Sequence, residues 1–109
     1  MLSENDFQEK AAEAIDDLEN KLLPVADAEG FEVEPGGGML TLIFEEPPAK
    51  FIVSPNSPAR QIWVSARATS FKFDWSESDR TFVLDKTREP FLLVMSNLLR
   101  QQLGKEVSL

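Results

Sequence analysis

The apolar residues of this chain change their period twice, from 3.6 to 2 and back again, and that switch leaves few folds open. Phe7, Ala11, Ala14, Ile15, Leu18 and Leu22 fall on one face of a helix predicted over Glu4–Leu23, within an arc of about 100°. Ser3 is its expected N-cap, with Asp6 completing an acidic form of the capping box, and Pro24 its expected stop. From Phe31 the period becomes 2. Phe31 and Val33 alternate with Glu32 and Glu34, Pro35-Gly36-Gly37-Gly38 is a turn, and Met39–Phe44 returns as a hairpin partner. A loop at 45–48 precedes a short strand, Phe51–Ser54, and Asn56-Ser57-Pro58 turns the chain again. Arg60–Ala66, Ser70–Trp75 and Thr81–Asp85 bring the strands to six.

A second helix is predicted over Arg88–Leu103, with Thr87 as N-cap, Pro90 in the first turn and Gly104 as stop. Leu92, Met95, Leu99 and Leu103 form its stripe, and Val107 and Leu109 of the tail tuck against the helices. No helical segment separates any two strands, so there is no βαβ crossover and the sheet is antiparallel. Both helices need an apolar surface, which one sheet face supplies. The expectation is an α+β fold: a two-layer α-β sandwich in which the N- and C-terminal helices share one face of a six-stranded antiparallel sheet. At 109 residues, with no linker or repeat, it reads as a single domain over 1–109.

Charge is distributed unevenly. Residues 1–34 hold eleven acids against Lys10 and Lys21, a net of −9, whereas residues 35–109 hold eight acids against nine bases, a net of +1. Such a field repels nucleic acid and anionic membrane and attracts cations and basic proteins. The chain has no cysteine and no histidine, which removes disulfides, thiolate sites, the commonest general base and the usual zinc, copper or di-iron ligand. The expectation is a protein that is not an enzyme. A ferroxidase in particular needs Glu-x-x-His pairs. The N-terminal residues are polar and acidic, and no apolar run is long enough to span a bilayer, so a cytoplasmic location is expected.

On the first helix Glu9, Glu13 and Asp17 succeed one another at four-residue steps with Asp6 and Asp16 beside them, a spacing that puts like charges about 5–6 Å apart. Adjacent carboxylates suit cations that take several oxygen ligands. A solvated helix face explains the same pattern. Glu32 and Glu34 extend this surface if their strand is an edge beside the helix, and as edge charges they also block strand addition. In Gln61-Ile62-Trp63-Val64-Ser65, Trp63 shares its side with Gln61 and Ser65 and reads as exposed on the open sheet face, a favoured anchor for a partner. Trp75 follows Phe71 and Phe73 and reads as core. The triple glycine joins two strands and lacks the Lys-Ser/Thr of a phosphate loop.

Four stretches together resemble the frataxin family, and within it the bacterial form. These are the acidic helix Ser3–Leu22, the Gly-Gly-Gly-Met-Leu-Thr-Leu-Ile-Phe hairpin at 36–44, Gln61–Ser65 with Phe71-Lys72-Phe73-Asp74, and the closing Gly104–Leu109. The resemblance spans essentially the whole chain and implies the same sandwich. It also implies weak, reversible binding of iron (Fe2+ or Fe3+) on an acidic ridge, here Glu4, Asp6, Glu9, Glu13, Asp16, Asp17, Glu19, Glu32 and Glu34. It implies docking on a cysteine desulfurase and its iron–sulfur scaffold protein, as iron donor or regulator, by a monomer that iron assembles in some members. The family's exposed sheet tryptophan falls on Trp63, with Gln61 beside it and Asn56 in the preceding turn. Asn20, Leu23 and Pro24 stand where the family often has acids, which implies iron affinity at its weak end.

Overall fold

The computed structural model describes residues 2–109, leaving Met1 aside. Ser3 is extended and its side chain accepts the Asp6 N–H at 3.1 Å, which starts α1, Glu4–Glu29. The helix does not stop at Pro24. It runs through the exposed proline because Leu18, Leu22 and Ala26 continue one buried row, and Gly30, left-handed at φ 78°, closes it by donating to the Ala26 carbonyl.

The strands are β1 (Glu32–Gly36), β2 (Met39–Glu45), β3 (Pro48–Asn56), β4 (Gln61–Ala66), β5 (Thr69–Ser76) and β6 (Thr81–Leu84), and α2 is Phe91–Leu103. They form one antiparallel sheet whose spatial order is the chain order, β1 to β6. Pro35 and Gly36 are paired in the ladder, so the first turn shrinks to Gly37-Gly38, at φ 61° and 79° as a tight hairpin requires. β3 is longer at both ends than expected. Pro48 opens it, where a missing N–H costs least, and Pro55 lies past the end of the β2–β3 ladder, with only β4 as partner.

The second helix starts three residues late. Thr87 caps nothing: its hydroxyl accepts the Glu89 N–H at 3.2 Å and donates to the Glu89 carboxylate at 2.8 Å, while Pro90 stands at the N-cap without a side-chain bond. Gly104 stops the helix in the left-handed conformation, as expected.

One sheet face is buried and the other is not. Leu40, Leu42, Phe51, Val53, Ile62, Val64 and Phe73 alternate inward under α1 and α2, with Phe44, Phe82, Phe7 and Leu99 in the same core. Phe7 meets Phe82 edge-on at 6.1 Å, and Phe44 bridges Phe31 and Phe51 at 4.7 and 4.8 Å. Each such side chain taken from water contributes about 1.5–3 kcal/mol. Val107 of the tail is buried in the same core and Leu109 packs against it, tied down by the Leu109 N–H to Ser96 Oγ at 3.1 Å. Among the described residues no helix is long and apolar enough to cross a membrane.

Candidate functional site

The buried row of α1 fixes where its carboxylates go. At about 100° per residue, Asp6, Glu9, Glu13, Asp16 and Asp17 fall opposite the Phe7–Leu18–Leu22 stripe, and all five are exposed. Glu4 lies in the first turn, also exposed, and Glu19 is half-buried on the flank facing the β1–β2 hairpin. The helix's two lysines take the other flank. Lys10 lies over the Trp75 ring of β5, 4.7 Å from its centroid, and Lys21 reaches Asp17 at 3.0 Å. Among the described residues this is the one ion pair that touches a proposed ridge carboxylate; the others join Arg100 to Glu106 and Lys105 to Glu29.

β1 is the edge strand beside that flank, as the extended acidic surface needs. Val33 pairs with buried Leu42 and so faces the helices. Glu32 and Glu34 therefore emerge on the bare side of the sheet, opposite Ile43 and Thr41. The nine carboxylates thus follow one another around the rim, seven on the helix layer and two under the edge, rather than sharing a plane. No three acidic side chains approach closely enough to enclose a metal ion among the described residues. The donor set fits solvated, water-rich cation contacts and a strong outward field; it does not form a cage.

The bare face carries Trp63, 37% exposed, as its sequence neighbours implied. Its indole N–H donates to Gln61 Oε1 at 2.9 Å, and the Gln61 amide donates to Asp74 at 3.0 Å. Lys72, paired with Trp63 across the ladder, places its ammonium 5.0 Å from the ring centroid. Beside the ring is a shallow depression lined by Ile52, Ser54, Ser65 and Ser70. Asn56 is half-buried, and its side-chain oxygen accepts the Ala59 N–H at 2.9 Å, which fixes the side chain with its amide N–H groups still unspent. Lys72 and Asp74 complete this constellation, which the sequence alone does not assemble. Their alternation with Phe71 and Phe73 shows which face they share, but only the β4–β5 register places them on Trp63 and Gln61.

Trp75 departs from expectation. It faces the core but is half-buried, edge-on to Phe82 at 5.3 Å, with its indole N–H on Glu77 at 3.0 Å. It lies near the end of the sheet, where the first turns of α1 offer Lys10 rather than an apolar cover.

Residues 1–105 match the family model described as the frataxin-like domain. The chain is 30% identical over 101 residues to the iron–sulfur cluster assembly protein CyaY of Pseudomonas aeruginosa, covering 93% of this chain and 84% of that protein. It is likewise 30% identical to the CyaY of Ralstonia pickettii, over 99% of this chain and 95% of the relative. The solved frataxin of Psychromonas ingrahamii superposes with a TM-score of 0.76 at 22% identity, covering 98% of this chain and 97% of that one, and so shares the fold.

Proposed function

Because this chain belongs to the frataxin-like domain family, we propose that it is an accessory protein of iron–sulfur cluster assembly, binding iron weakly on its acidic ridge and docking on a cysteine desulfurase. The observation that carries this reading is the unneutralised ridge: of the nine carboxylates, only Asp17 meets a cation of its own chain among the described residues. Exposed carboxylates at four-residue steps supply one or two oxygens each to Fe2+ or Fe3+, water completing the shell, so iron is cargo that loads and leaves. The same field draws in an arginine-rich partner surface and orients it before contact. Trp63, braced by Gln61 and Lys72, offers the exposed aromatic that protein interfaces use as an anchor. This work belongs in the cytoplasm, alongside the scaffold protein on which clusters are built.

Titration with Fe2+ or paramagnetic Mn2+, followed at the backbone amides, tests the iron half. Broadening confined to α1 and β1 is expected, and a uniform or absent effect removes the site. A second reading is favoured by the lack of any three-carboxylate group among the described residues: the ridge recognises only the basic partner and metal binding is incidental. Cluster assembly rates with purified desulfurase and scaffold separate the two. An effect of this protein that is the same at every iron concentration supports the second reading.

A further inference from the structure

Between α1 and the tip of the β1–β2 hairpin lies an open groove of about 350 Å³, on the flank where the ridge ends. Buried Ile15 and Leu40 floor it, and Ala12 and the exposed Met39 stand at its sides. Asp16 and Glu19 are among its lining residues, and no lysine or arginine is. The glycines leave the hairpin end open: a Cβ added at Gly36, Gly37 or Gly38 would meet nothing within 4 Å.

We infer that this groove seats an apolar side chain of a basic partner segment, with a neighbouring arginine or lysine of that segment on Asp16 and Glu19. The two halves of the site require the two halves of the occupant. A hydrated cation leaves the apolar floor wet, and an uncharged apolar ligand leaves the carboxylates without a counter-charge. A segment in which leucine or methionine alternates with arginine satisfies both, and Met39 supplies an unbranched wall that adapts to either side chain. The inference deepens the docking half of the proposed function and rests on a cationic partner surface meeting the ridge.

The test uses two synthetic peptides of equal charge, Arg-Leu-Arg-Arg-Leu-Arg and Arg-Gly-Arg-Arg-Gly-Arg, titrated into the protein while its backbone amides are observed. The leucine peptide is expected to bind at least about tenfold more tightly, the gain from removing one leucine from water, and to shift the amides of Ala12, Gly36 and Met39. Ala12→Trp, which fills the groove from an exposed helix position, should erase that margin and leave the glycine peptide's affinity unchanged. Met39→Ala, which leaves the helix untouched, should reduce the margin as well. Equal affinity for the two peptides, or a margin that survives Ala12→Trp and Met39→Ala, overturns the inference. No desulfurase enters this assay, so failure of the groove and failure of the docking reading are seen separately.

Discussion

Arg67 and Gln102, 35 positions apart, meet where the β4–β5 turn passes under the end of α2: the guanidinium donates to Gln102 Oε1 at 3.1 Å, and the Gln102 amide donates to the Pro47 carbonyl at 2.8 Å. Gln102 is 4% exposed, so both bonds are made largely out of water. One side chain thereby joins the β2–β3 turn, the β4–β5 turn and the second helix.

Gln102→Ala should destabilise the fold by about 1–3 kcal/mol, because the Pro47 carbonyl and the Arg67 guanidinium each lose a partner. Urea unfolding followed by far-ultraviolet circular dichroism measures it. A change below about 0.5 kcal/mol would show that water replaces the amide at little cost.

Ala68→Gly should do the opposite. Arg67 and Ala68 both hold positive φ, at 52° and 62°, in a two-residue turn that favours glycine at its second position. Relief of left-handed strain, reduced by glycine's greater freedom when unfolded, should give about 0.5–1 kcal/mol of added stability. Arg67→Gly lacks this benefit, since it also gives up the bond to Gln102.

Pro24→Ala should raise the melting temperature, with a gain of about 1–2 kcal/mol. The substitution restores a helical N–H at an exposed position and relieves the clash of the ring with the carbonyl four residues earlier, with some offset from the unfolded state. A lower melting temperature would mean that the proline sets a bend on which the packing of Ala26 depends.

Pro24 also shows where the sequence was legible and where it was not. The stripe from Phe7 to Leu22, the tight turns and the six alternating runs carry the architecture, because burial on one face imposes their periods locally. At Pro24 a sound local rule lost to Ala26 burial and the Gly30 cap, which lie beyond it. The exposed face of Trp63 followed from its polar neighbours. Its lysine and glutamine partners required the register, and so did the groove, whose sides come from segments far apart in the chain.

Replacing Glu9 and Glu13 together by glutamine should separate stability from docking. Removing like charges one helical turn apart should leave the fold unchanged or more stable by a few tenths of a kcal/mol. On the proposed docking, affinity for a cysteine desulfurase should fall several-fold at low salt, and its salt dependence should flatten. Calorimetry of unfolding and binding titrations at several ionic strengths check both. Loss of affinity with an unchanged salt slope would mean that these carboxylates act by shape rather than by field.

Trp63→Ala should weaken docking at least tenfold, corresponding to a loss of about 1.4 kcal/mol or more, while changing fold stability by less than about 1 kcal/mol because the ring lies on the bare face. Trp63→Phe keeps the ring over Lys72 but loses the bond to Gln61, and should fall between. Equal docking by all three proteins would remove Trp63 from the interface.

A sheet whose strands lie side by side in the order in which they are synthesised needs no distant segment to complete any ladder. Each hairpin can close over a short loop, with little entropy to overcome, so the barrier to folding should come mainly from docking the two terminal helices onto a meander already being assembled. A chain arranged in this way folds quickly for its strand content, and has little occasion to trade strands with another copy of itself on the way.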